Sequence, residues 1–181
     1  KEVIEYYTKL IQSVPDAKII LYNFEKLCGY KFSVECVENL VARFPKNIIG
    51  VKDSSYNLMG NLNIKNFSIL PGSELKLLNG LKKDCSGIIT ATCNVTAKLA
   101  RKVFDDFEQN KEQTVNDKLC EVRKAFDQFN LISGLHSFLS LTDKQFLNIL
   151  PTCSLLNEKD EKILKDKLKD LDFLKKDFKA A

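Results

Sequence analysis

Apolar positions recur along this chain in two alternating rhythms. Val3, Ile4, Tyr7, Leu10, Ile11 and Val14 fall at helical spacing and predict an amphipathic helix over Lys1–Val14. Pro15-Asp16 breaks it, and Ala17–Asn23 (AKIILYN) is a short β-favouring run that predicts a buried strand. Cys28-Gly29 punctuates, Ser33 is placed to cap, and Val34, Val37, Leu40, Val41 and Phe44 mark a second helix face. Pro45-Lys46-Asn47 turns the chain into Ile48–Asp53 (IIGVKD), a second buried strand. Asn57–Asn66 reads as a weak helical or turn segment. Phe67–Leu70 reads as a third strand ending in Pro71-Gly72. Ser73 then caps a helix through Leu75, Leu77, Leu78 and Leu81, Gly87–Thr92 (GIITAT) predicts a fourth strand, and Val95, Leu99, Val103, Phe104 and Phe107 lie on one long helix. Strands alternating with helices at this spacing predict a parallel sheet with crossover helices.

Beyond about residue 110 the strand pattern stops. One helical stripe runs through Leu119, Val122, Phe126 and Phe129. A second runs through Phe138, Leu141, Phe146 and Leu150, ended by Pro151, and a third through Ile163, Leu164, Leu168, Leu171, Leu174 and Phe178. The expected organisation is therefore an α/β part over 1–110 and a helical part over 111–181. Four strands do not close an eight-stranded barrel, and an open sheet leaves edges that need cover. A (β/α)8 barrel takes about 250 residues, so a barrel reading of these 181 residues requires its first half to lie elsewhere.

Composition narrows the class. Apolar residues make up 44% and charged residues 29% of the chain, and no apolar run approaches the roughly 18 residues of a membrane-spanning helix. With no secretory pattern at Lys1, a soluble cytoplasmic protein is expected. Lys and Arg number 28 against 24 acids, with both signs interspersed; the Lys-rich stretch 157–181 holds eight Lys and seven acids, a solvated surface rather than a nucleic-acid footprint. Cysteines at 28, 36, 85, 93, 120 and 153 form no C-x-x-C pair and have one histidine, His136, to help them, so metal ligation is not expected and reduced thiols are. Phosphate-loop, dinucleotide-binding, nucleophile-elbow and zincin motifs are all missing.

Lys52 is the residue that carries chemistry. It closes the apolar run Ile48–Val51, at the carboxyl end of a strand, where α/β enzymes place their sites. Desolvation there favours the neutral amine that attacks a carbonyl; the same position also suits a lysine that snorkels outward or pairs with Asp53. Tyr22 and Asn23 end the preceding strand, so Tyr22 stands next to Lys52 if the strands are parallel neighbours, either as a proton relay or as a core tyrosine. The Pro71-Gly72-Ser73 corner, Ser54-Ser55 and Ile89-Thr90 end the other strands.

Taken in order, Tyr22-Asn23…Gly29, Gly50-Val51-Lys52-Asp53-Ser54-Ser55, Gly72-Ser73-Glu74…Gly80-Leu81 and Gly87-Ile88-Ile89…Asn94 resemble the dihydrodipicolinate synthase/N-acetylneuraminate lyase family of class I aldolases. The resemblance implies the second half (strands five to eight) of a (β/α)8 TIM barrel followed by a helical domain, usually in a homotetramer. It implies that Lys52 forms an imine with pyruvate or another 2-keto acid, without cofactor or metal, and that the carbanion equivalent at C3 joins or leaves an aldehyde. Tyr22 is then the proton-shuttling tyrosine, and Gly72, Ile89, Asn23 and Leu27 line the substrate. Leu27 stands where the synthase branch has a carboxylate-gripping arginine, which favours a 2-keto-3-deoxy-sugar-acid aldolase or lyase. Glu25 replaces the usual proline, Cys28 the usual Thr or Ser, and Glu74-Leu75 the acidic pair of neuraminate lyases. The family's pyruvate-carboxylate loop and the tyrosine of its fourth strand lie upstream of Lys1, so residues 1–181 alone are expected to be inactive or nearly so, and to dimerise, aggregate or borrow a complementary fragment. The alternative is a non-catalytic truncated paralogue that binds or scaffolds.

Overall fold

Three strands, β1 (Ile19–Asn23), β2 (Ile48–Asp53) and β3 (Ser68–Pro71), form a parallel sheet in the order β1-β2-β3. Among the described residues eight α-helices accompany them in the computed structural model: α1 (Glu2–Ser13), α2 (Glu25–Cys28), α3 (Val34–Arg43), α4 (Leu77–Leu81), α5 (Cys93–Glu108), α6 (Asn116–Phe126), α7 (Leu131–Leu139) and α8 (Glu158–Asp170). The structure describes residues 1–174, and Phe178 of the last predicted stripe lies outside them. These residues divide into two compact units, one of Lys1–Gly72 with Asn79–Ile89, the other of Ser73–Leu78 with the described residues from Thr90 onward.

In the first unit the sheet has two unlike faces, because successive strand residues point to opposite sides. Leu21, Val51 and Ile69 are buried with Ile11 of α1 and Val37 and Leu40 of α3. Each such side chain contributes roughly 1.5–3 kcal/mol by leaving water. Ser33 caps α3 as expected, accepting from the Cys36 N–H at 3.1 Å. The other face carries Ile20, Tyr22, Gly50, Lys52, Ser68 and Leu70 in register. It is the wetter one: Ile20 is 44% exposed. At Gly50 a Cβ would come within 2.7 Å of the Ser68 carbonyl oxygen, so the close approach of β2 to β3 requires glycine.

The expected fourth strand, Gly87–Thr92, is not a strand: among the described residues the sheet has three. Ser86 N–H donates to Ile69 O (3.0 Å) and Ile89 N–H to Pro71 O (3.1 Å), as a fourth strand would begin to do. A parallel ladder also needs the return bond from the N–H of residue 71, and proline has none. The segment therefore lies along β3 without a ladder.

The second unit packs α5 to α8 around Leu99, Val103, Leu119, Val122, Phe126, Leu135, Phe138, Leu164, Leu168 and Phe173. The Phe126 and Phe138 rings meet edge to face at 5.7 Å. The helix expected through Phe138–Leu150 is instead α7, which starts earlier and ends at Leu139. Asn130 caps its start by accepting from Ile132 N–H and Ser133 N–H, and Asp143 turns the chain into a short 3-10 segment, leaving Leu141, Leu147 and Leu150 exposed. Glu74 is wholly buried in this unit. Its Oε2 accepts from Arg123 (2.9 Å), Thr90 (3.0 Å) and Thr92 (3.2 Å), and its Oε1 from Thr96 (2.8 Å). Among the described residues no helix is long and apolar enough to cross a membrane.

Candidate active site

The parallel pairing of β1 with β2 sets Tyr22 opposite Lys52 and Asn23 opposite Asp53. Both pairs stand at the carboxyl ends of their strands. On the wetter face the half-buried Lys52 places Nζ over the Tyr22 ring, 4.3 Å from its centroid. An ammonium over an aromatic face is held by the ring quadrupole, by about 0.5–2 kcal/mol according to how dry the site is. Asp53 does not pair with Lys52. It points to the opposite face and is wholly buried.

Gly72 and Ile89 reach the same end of the sheet through their backbones. Gly72 N–H donates to Asp53 O at 3.1 Å, and a Cβ at Gly72 would fall 2.1 Å from Ser54 Oγ, so that corner also requires glycine. Ile89 follows Pro71 through its hydrogen bond, and the residue is 39% exposed. Asn23 lies on the buried face beneath Tyr22 and Lys52, its amide fully engaged. Leu27, on the four-residue α2, is 73% exposed.

Two groups of residues escape a reading by motif. One is the turn after β2, where the backbone N–H groups of Tyr56, Leu58 and Met59 converge on the Asp53 carboxylate. The signal for it was an aspartate closing a strand before Ser-Ser-Tyr-Asn, a turn composition. The other is an aromatic cavity of about 340 Å³, shared by Tyr22 with Tyr6, Tyr7, Cys28, Tyr30 and Phe32. Burial raises the Tyr7 phenol above its ordinary range, and a hydrogen bond with the Cys36 thiol raises that of Tyr30. Among the described residues no cluster of three or more His, Cys, Asp or Glu is arranged to hold a metal ion.

This arrangement presents an amine, an adjacent phenol ring and a glycine corner at one end of a parallel sheet. The sequence profile of the dihydrodipicolinate synthetase family matches residues 1–170. An uncharacterized DapA-like lyase of Chloroflexus aurantiacus is 27% identical over 146 residues, 77% of this chain and 49% of the relative. A probable 2-dehydro-3-deoxy-D-pentonate aldolase, YjhH of Escherichia coli, is 28% identical over 130 residues, 65% of this chain and 42% of the relative. YagE of Escherichia coli K12, a prophage protein of the dihydrodipicolinic acid synthase family solved in complex with pyruvate, superposes with a TM-score of 0.77 at 20% identity, over 95% of this chain and 61% of that structure. The chain spans about half the length of the curated relatives it matches.

Proposed function

The chain belongs to the dihydrodipicolinate synthetase family, and on that premise we propose that it carries the Schiff-base half of a pyruvate-dependent carbon–carbon lyase or aldolase. The observation that supports this most directly is the in-register pair at the strand ends, with the Lys52 amine over the Tyr22 ring. In this reading the neutral Lys52 amine adds to the keto carbon of a 2-keto acid, pyruvate in synthesis and the longer acid in cleavage, and the carbinolamine loses water to give an iminium. The Tyr22 phenol relays the protons of both steps. The iminium withdraws electrons from C3. In cleavage the C4 hydroxyl gives up its proton, the C3–C4 bond breaks, an aldehyde leaves and an enamine remains; in synthesis C3 of the pyruvate iminium loses a proton, and the resulting enamine adds to an aldehyde whose oxygen takes a proton. Protonation at C3 and hydrolysis of the imine return pyruvate and the free amine. The backbone at Gly72 and Ile89 borders the keto acid. The exposed Leu27, where the synthase branch carries an arginine, favours a 2-keto-3-deoxy-sugar acid as the partner substrate.

The same reading makes residues 1–110 the carboxyl-terminal half of a (β/α)8 barrel and 111–181 its helical domain, within a cytoplasmic homotetramer. Borohydride reduction of the complete barrel, residues 1–181 joined to the half that carries the first four strands, in the presence of pyruvate tests it, followed by peptide mapping. The expected result is one reduced adduct, on Lys52, lost in Lys52→Ala. No adduct, or an adduct on another lysine, refutes the assignment.

A further inference from the structure

Beneath the amine and the phenol, on the opposite face of the sheet, lies a buried polar clasp that the proposed chemistry does not use. Asp53 is 0% exposed, and its carboxylate accepts four hydrogen bonds. Oδ1 takes Asn23 Nδ2 and Tyr56 N–H, each at 2.8 Å; Oδ2 takes Leu58 N–H and Met59 N–H, each at 2.9 Å. Asn23, also 0% exposed, gives its second amide hydrogen to Asn57 Oδ1 (2.9 Å) and accepts Phe32 N–H at Oδ1 (3.0 Å). Asn57 Nδ2 closes the circuit on Phe32 O at 2.8 Å. The backbone joins in, with Ser54 N–H and Ser55 N–H both donating to Asn23 O. Tyr56 sits at φ +57, a conformation that a bulky residue holds only when its surroundings impose it.

Every donor to Asp53 is neutral, and among the described residues no cation pairs with it. For stability alone, a buried charge is a poor choice, since apolar packing of similar volume does as well or better. What the carboxylate does uniquely is bind four donors from two stretches of chain, β1 and the 56–59 turn, at once. Two of the clasp residues are each one peptide away from a site residue: Asn23 follows Tyr22, and Asp53 follows Lys52. Alternation then turns a fixed pair on one face into a fixed pair on the other. We propose that Asp53 is a positioning residue: through Asn23 and the 54–59 turn it holds the ends of β1 and β2 in one register and orientation, and so holds Lys52 over the Tyr22 ring. Its catalytic meaning rests on the Schiff-base reading of Lys52; the geometric effect does not.

Nuclear magnetic resonance of the 181-residue chain reads that geometry directly. The ε-methylene protons of Lys52 are expected upfield of the other lysines because they stand over an aromatic face, and Tyr22→Leu should remove the displacement. Asp53→Asn turns an NH2 group towards the Leu58 and Met59 N–H donors. It should lose most of the displacement at a temperature where the variant is still folded. Val37→Ala, a cavity in the core of the same unit, should keep it despite lower stability. Asn23→Ala cuts one arm of the clasp and should lose part of it, which keeps the test open if Asp53→Asn does not fold. Full displacement in a folded Asp53→Asn, or in Asn23→Ala, overturns the proposal. Reduction with pyruvate separates the two ideas. A complete wild-type barrel that shows the displaced protons and forms no adduct refutes the Schiff base and supports the clasp. A wild-type adduct that Asp53→Asn forms equally fast refutes positioning, for which a rate roughly tenfold or more lower is expected.

Discussion

Two carboxylates, Asp53 in the first unit and Glu74 in the second, are both wholly buried and both accept four hydrogen bonds, yet their environments differ in kind. Asp53 is held by dipoles: three backbone N–H groups and one amide. Glu74 is held by the Arg123 guanidinium and three threonine hydroxyls, from residues far apart in sequence. Arg123 is itself braced by Asp127 at 2.8 Å and donates to Thr90 at 2.8 Å. A charge matched by fixed neutral donors shapes a local turn. A charge matched by an opposite charge ties distant helices and leaves a large penalty when one partner is removed. Each carboxylate also has a thiol beside it. Burial first, and the neighbouring carboxylate second, push Cys85 near Asp53 and Cys93 near Glu74 each up to about 11.

Removing the cation should separate the two carboxylates most sharply. Arg123→Ala strands Glu74 in an apolar interior and is expected to cost about 3–5 kcal/mol, read as a lower urea midpoint. A loss under about 1 kcal/mol would mean that the hydroxyls alone suffice. Asp53→Asn has no cation to strand and sets an NH2 against two N–H donors, so its expected cost is smaller, about 1–3 kcal/mol. Should it exceed the Arg123→Ala loss, the distinction between dipole and cation matching is wrong.

The smallest effects are on the thiols, and they sharpen the comparison by charge alone. Asp53→Asn should lower the Cys85 value and Glu74→Gln the Cys93 value, each leaving the other thiol unmoved in an alkylation–pH profile. The thiols also carry a stability signature. In the folded chain they keep their protons to about 11, whereas unfolded they ionise near the ordinary 9.0. Between those values the folded state binds more protons, so their contribution is complete below about pH 9 and fades as pH rises towards 11. Cys85→Ala and Cys93→Ala should each flatten the alkaline fall of the urea midpoint; a fall unchanged in both variants removes the thiols as its cause.

Much of this was readable from residue order. The run Ile48–Val51 before Lys52 marks a strand end, and Tyr22 closing the previous run marks its neighbour, because buried parallel strands are continuous apolar stretches. Ser33 caps α3, accepting from Cys36 N–H, as a capping residue at that place should. Gly87–Thr92 has the apolar content of a strand without forming one, because apolar content reports burial, while a ladder needs donors, and Pro71 lacks the one required. The stripe through Phe138–Leu150 misled in a similar way: the spacing is compatible with a helix, but caps at Asn130 and Asp143 decide where α7 starts and where the chain turns.

The sequence by itself determined the strand–helix alternation, the placement of Lys52 and Tyr22 at strand ends and the family membership, since each depends on local periodicity or on motifs within a few residues. Only the tertiary structure decided that Lys52 faces the Tyr22 ring instead of Asp53, that Asn23 and Asp53 join beneath them, and that Glu74 meets Arg123. These are contacts between residues about thirty to fifty positions apart, and they depend on strand register and helix packing, which the whole chain settles together and no short window encodes.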